Sequence, residues 1–270
     1  MPRYLYSAAA IAAMLFSCAA AQGQSSFSEA VQVGPPSAQT EAPLSANPSA
    51  DELEKHADLL RAEKSYLNAL DYYRDALKKK PDSARILNKI GIVELMLQNF
   101  GPAKKSFERA IKHDPQFADA YNNLGVIFYE ERKYGKAIDR YERALKLRQD
   151  SASFYSNLGA AYFSKKEFER AFDAYGEAAK IDPDVFERSS HNGVAAQMSS
   201  PEDRAHYDFV LARLFAKQGD AERSLLYLRR ALEEGYPGID AVFKDSEFAG
   251  LRKDARFTQL MASRPPAIPE

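Results

Sequence analysis

Residues 84–117, ARILNKIGIVELMLQNFGPAKKSFERAIKHDPQF, decide the fold. Leu87, Ile90, Gly91 and Glu94 begin one helical pattern, and Ala103, Phe107 and Ala110 recur at i, i+4, i+7 to mark a second. Gly101-Pro102 falls at the start of that second helix, where proline loses no hydrogen bond. Pro115 stops it before the next turn.

The same spacing extends in both directions. Tyr66, Phe100, Tyr134 and Phe168 lie 34 residues apart, as do Ala69, Ala103, Ala137 and Ala171. Tyr73, Phe107, Tyr141 and Tyr175 keep the period, and so do Ala76, Ala110, Ala144 and Ala178. Gly91, Gly125 and Gly159 share a column with Ala57. Four units follow, 50–83, 84–117, 118–151 and 152–185, each a pair of antiparallel helices. Gly or Ala at unit position 8 faces Ala at 20, so the paired helices approach closely. Ala at 27 lets the next unit nest, and the aromatics at 17 and 24 fill the wedge between pairs. Pro81, Pro115 and Pro183 close three units, whereas the third has Gln149 there.

At these columns the chain resembles the tetratricopeptide-repeat (TPR) family. Position 4 carries Leu53, Leu87, Tyr121 and Tyr155 where the family often has Trp. The resemblance implies an all-α protein, an α-solenoid of antiparallel helix pairs with a concave groove for peptides or protein segments. A degenerate fifth unit fits 205–238, with Ala212, Ser224, Leu228 and Ala231 in its packing columns, Ala221 replacing the aromatic and Tyr236 the proline. Residues 186–204 are an insert. Ser200-Pro201-Glu202-Asp203 reads as a helix start near Pro201, and Asn192-Gly193 as a turn. The short amphipathic turns of 239–270 supply the helical cap that a solenoid end requires.

The beginning of the chain reads as an export signal. Arg3 precedes an uncharged apolar run from Leu5 to Phe16, too short to span a bilayer. The run ends at Leu15-Phe16-Ser17-Cys18, which resembles a bacterial lipobox with Cys18 as the lipidated residue of the mature protein. Residues 1–17 are then the signal peptide; cleavage after Ala21 is the alternative. Residues 18–49, rich in Ser, Gln, Ala and Pro, are expected to be a disordered tether. The expected location is the periplasm or the membrane surface.

Composition narrows the chemistry. Among 270 residues, 37 basic and 38 acidic side chains leave a net charge of −1, without the basic excess a nucleic-acid binder needs. One cysteine excludes an intrachain disulfide or a multi-cysteine metal site. Histidines 56, 113, 191 and 206 are scattered, and no metalloprotease, Walker A or dinucleotide-binding motif is present. Neither a metal nor a cofactor is expected. Ser189 and Ser190 beside His191 are the only hint of a hydrolase in the insert, and sequence adjacency does not make a triad.

Function is therefore sought in the groove, as a non-enzymatic scaffold or, alternatively, an assembly factor for an envelope machine. The resemblance places positions 2, 5, 6, 9, 12 and 13 of each first helix on the concave face. Unit two offers Arg85, Asn88, Lys89 and Ile92. Unit three offers Asp119, Asn122, Asn123, Val126, Tyr129 and Glu130, and unit four Ser153, Ser156, Asn157, Ala160 and Phe163. Asparagine donates and accepts, so Asn122, Asn123 and Asn157 could pair with a peptide backbone. Asn123 and Asn157 share position 6, resembling the asparagine ladder of the O-GlcNAc transferase superhelix, with Lys55 and Lys89 interrupting it. The family's carboxylate clamp is not matched: Glu54 and Asp58 would repel a carboxylate, and a clamp begun at unit two retains only Asn123.

Overall fold

The computed structural model describes residues 45–190 and 200–264, with side chains left undescribed at 188–190. Eight helices of the first four units repeat with one spacing: α1 (Ala50–Ala62), α2 (Tyr66–Lys79), α3 (Ala84–Met96), α4 (Phe100–His113), α5 (Ala118–Glu130), α6 (Tyr134–Leu147), α7 (Ala152–Ser164) and α8 (Phe168–Ile181). Each helix packs on its pair partner and on the helix that follows, the stacking of a solenoid, with no strand among the described residues. Local chemistry starts the stack. Ser49 caps α1 in a capping box, its Oγ accepting from the Glu52 amide at 3.2 Å while the Glu52 carboxylate accepts from the Ser49 amide at 2.7 Å.

The turn inside each pair has one backbone solution. Lys64, Gln98, Arg132 and Lys166, all at position 15, adopt φ of 62, 60, 57 and 61°. That left-handed conformation disfavours side chains other than glycine, and the repeat accepts the strain four times. The fifth pair has Gly219 there, at φ 78°. The small column is equally demanding. A Cβ built on Gly91, Gly125 or Gly159 would stand 2.5 Å from the ring of Phe107, Tyr141 or Tyr175 respectively. Ala57 occupies the column in unit one, fully buried beside Tyr73, so the contact can open enough for one methyl group.

The frame breaks after unit four. Helix α9 (Val185–Ser190) starts where a fifth first helix would continue, burying Val185 and Phe186 against the preceding pair. The fifth pair then comprises α10 (Pro201–Gln218) and α11 (Ala221–Glu233). Helix α10 begins at Pro201, one turn ahead of the frame's Ala205, capped by Ser200 accepting from the Asp203 amide at 3.0 Å. Ser224 donates to the Ala212 carbonyl at 2.7 Å, so the small column survives here as a hydrogen bond.

The tail folds as three 3-10 turns, Ile239–Phe243, Ser246–Phe248 and Leu251–Lys253, followed by α12 (Ala255–Ser263). Phe248 is fully buried against Phe209, whose ring also stacks on Tyr236 at 4.6 Å. Arg213 and Lys217 of α10 pair with Asp245 at 2.8 Å and Glu247 at 3.3 Å. Phe209 occupies position 5 of the fifth unit, so the tail covers a surface to which a further repeat would otherwise add.

Candidate functional site

Positions 2, 5, 6, 9, 12 and 13 of the first four units all lie on the first helices α1, α3, α5 and α7. Positions 5 and 6 are joined across units. Asn123 Nδ2 donates to Asn88 Oδ1 at 3.0 Å, Asn157 Nδ2 to Asn122 Oδ1 at 3.0 Å, and Asn122 Nδ2 to Asn123 Oδ1 at 3.1 Å. The four amides thus form one chain running from α3 through α5 to α7, and all are buried. Each still holds unspent capacity: Asn88 has both N–H donors free of protein partners in this chain of bonds, and Asn157 its oxygen.

Lys89, which reads in the sequence as an interruption, continues the same column by another chemistry. Its ammonium pairs with Glu54 at 2.7 Å and Asp58 at 2.6 Å. Glu54 stands at position 5 of unit one, so the junction of units one and two uses an ion pair where the next two junctions use amides. Arg85 is exposed and adds to this group, reaching Glu54 at 2.8 Å and Asp51 at 3.3 Å. Asp58 also accepts from the Tyr73 hydroxyl at 2.5 Å.

The other candidates stand apart from the ladder. Asp119 accepts two bonds from Arg148, at 2.6 and 3.0 Å, and Arg148 stacks 4.6 Å over Phe154. Ser153 shares a hydrogen bond of 3.0 Å with Ser151. Tyr129 shares one of 3.0 Å with Ser164, and burial pushes its phenol up to about 12. Phe163 is buried: its ring meets Phe168, His206 and Tyr207 at 5.2, 5.5 and 6.0 Å, so α10 lies against position 12 of unit four. Val126, Ala160 and Ile92 are buried as well.

Two acidic groups have unusual surroundings, Glu130 among the groove candidates and Asp208, which no sequence motif marks. Glu130, at position 13, has one buried carboxylate oxygen without a hydrogen-bond partner, and burial raises its pKa. Asp208 on α10 is buried, and that burial lifts its pKa to about 7 despite Arg230 and Arg204 nearby. The signal for Asp208 is a carboxylate at position 4, where units one to three bury Leu53, Leu87 and Tyr121.

Cys18, the signal, most of the tether, and His191 with Asn192-Gly193 lie outside the described residues, as do the side chains of Ser189 and Ser190. Among the described residues no cluster of three His, Cys, Asp or Glu side chains is placed to hold a metal, and no described helix is long and apolar enough to cross a membrane.

Three family models match the chain: "TPR repeat" over residues 127–166 and "Tetratricopeptide repeat" over 152–185 and 106–139. The chain carries tetratricopeptide repeats. No curated protein matches it in sequence. Solved structures similar to it include one titled MamA, 23% identical, covering 66% of this chain and 93% of that one at a TM-score of 0.46. A MamA fragment from Desulfovibrio magneticus RS-1 is 17% identical, covering 68% and 94% at 0.48. YrrB, described as a TPR protein with an unusual peptide-binding site, is 17% identical, covering 73% and 91% at 0.46.

Proposed function

We propose that this TPR protein is a non-enzymatic interaction scaffold of the cell envelope, binding a protein segment along the wall formed by α3, α5 and α7. The observation that carries the reading is the amide ladder, with unspent donors at Asn88 and an unspent acceptor at Asn157. A segment lying along this wall can hydrogen-bond without displacing the bonds that join the units. The apolar run before Cys18 supports export, and the cysteine supports attachment by lipid, with residues 18–49 as a spacer. A single acyl chain binds membranes reversibly, so stable attachment takes more than one.

A photo-crosslinking residue placed at Arg85 or Ser153, compared with Lys105 or Asp139 on second helices, tests the surface in the native envelope. Capture of one protein from the first pair and not the second is expected; the reverse pattern would move the site to the other face. Intact mass of the mature chain tests the anchor. An acylated N-terminus at Cys18 is expected, and an unmodified Gln22 would reject it.

A further inference from the structure

On the opposite face of α7 from Asn157, a cleft of about 520 Å³ opens beside α8 and α10. Tyr155, Leu158 and Tyr162 of α7 line it with Phe172 and Gly176 of α8 and Leu214 of α10. Gly176 takes the position held by Arg74, Glu108 and Glu142 in the other units, so the outer surface of α8 dips where theirs carries a long side chain.

The repeat itself supplies a template for what belongs there. In unit three, Tyr121 at position 4 lies beneath the guanidinium of Arg143 at position 26, 5.6 Å from the ring centre. In unit four the same two positions hold Tyr155 and Glu177. The tyrosine is kept, its cation is replaced by an anion, and both line the cleft. The charges around it are unevenly spent. Arg170 is paired with Glu167 at 2.8 Å and lies over the Tyr162 ring at 4.0 Å. Lys180 is paired with Glu177 at 2.5 Å and Lys217 with Glu247 at 3.3 Å. Asp173, exposed at the rim, makes no hydrogen bond or close ion pair among the described residues and acts on Lys180 from further away. Each of these cations has a close carboxylate partner within the chain, and Asp173 is left with only the longer-range attraction of Lys180.

We propose that this cleft takes a lysine or arginine side chain of a partner protein segment, laid over Tyr155 as Arg143 is laid over Tyr121, with its charge beside Asp173 and flanking apolar residues against Leu158, Phe172 and Leu214. A cation over a tyrosine face is attracted by the ring quadrupole, and the adjacent carboxylate adds charge complementarity. The site uses none of the ladder residues and stands whether or not the concave wall binds a segment.

The test is an amide NMR titration of the full mature chain with acetyl-Leu-Arg-Leu-amide, against acetyl-Leu-Gln-Leu-amide. The arginine peptide should bind at roughly millimolar strength, as befits a tripeptide, moving the amides of Asp173, Gly176 and Glu177, with the glutamine peptide weaker. Asp173→Asn should weaken binding about 2- to 5-fold. Glu177→Arg restores the arrangement of unit three and should weaken it about 5-fold or more by occupying Tyr155. Equal binding of the two peptides, shifts confined to α3 and α5, or unchanged affinity in both variants with native helicity would overturn the proposal.

Discussion

Three tyrosines at one repeat position make an internal experiment. Tyr73, Tyr141 and Tyr175 are all fully buried at position 24, where unit two has Phe107. Only Tyr73 has a partner, Asp58 at position 9, at 2.5 Å. Position 9 is Val126 in unit three and Ala160 in unit four, and the hydroxyls of Tyr141 and Tyr175 have no protein partner. Burial accordingly pushes both phenols well above their usual range. Leaving a buried hydroxyl unsatisfied costs about 1–3 kcal/mol, so Tyr141→Phe and Tyr175→Phe should be neutral to stabilising by up to about that amount. Tyr73→Phe should cost about 1.5–3 kcal/mol, the worth of a bond to a charged group, towards the lower end because Asp58 keeps Lys89. Urea unfolding of the full mature chain reads the difference, and in a chain of this size each kcal/mol moves Tm by about 2–4 °C. Loss of stability in all three variants alike would refute the reasoning, since it would mean that the two inner hydroxyls are satisfied without a residue at position 9.

Other perturbations read other links. Asp208 holds its proton to about pH 7 when folded but ionises near 3.8 when unfolded, so folding takes up a proton between those values and stability falls as pH rises through them. Asp208→Asn should remove that slope, gaining at most about 4 kcal/mol at pH 8 and little at pH 3 in equilibrium unfolding. His206, whose pKa burial lowers from 6.5, acts in the opposite sense and costs stability as pH falls below that value. Glycine at Lys64, Gln98, Arg132 or Lys166, all exposed with positive φ, should each gain up to about 1 kcal/mol; destabilisation at all four would place the strain elsewhere. Gly125→Ala should cost under about 2 kcal/mol, because Ala57 is accommodated in the same column, whereas Gly125→Leu should exceed about 3 kcal/mol in the same unfolding assay. Asn122→Ala strips a partner from both Asn123 and Asn157 and should cost about 2–4 kcal/mol; a change under about 0.5 kcal/mol would deny the ladder any part in stability.

The repeat was legible because packing columns are local in sequence. Gly125, Ala137, Tyr141 and Ala144 meet within one unit or its neighbour, and their sizes alone state the arrangement. The wall was less legible. Whether position 5 or 6 is open depends on how tightly successive first helices stack, and that is set by contacts 35 residues apart, such as Asn123 with Asn88. Lys89 read as a break because its partner Glu54 belongs to another unit and another residue class. The early start of α10 was visible in Ser200-Pro201, but its contact with Phe163 was not, since a cap fixes where a helix begins and not where it points. Asp208 carried no motif; its shifted pKa arises from burial, which the sequence pattern of a degenerate unit does not disclose.

The changing chemistry of the position 5 to 6 link has a mechanical consequence. Between α3, α5 and α7 the link is amide to amide, directional and indifferent to ionic strength. Between α1 and α3 it is Glu54 with Lys89 and Arg85, of which Arg85 stands in solvent. Screening at high salt weakens the exposed part of that contact while leaving the amides untouched. The position 5 to 6 link at the first junction is therefore salt-sensitive, whereas the apolar packing of Leu53, Ala57, Ile86 and Ile90 there is not. Raising the salt should loosen that link before it alters the amide links of the rest.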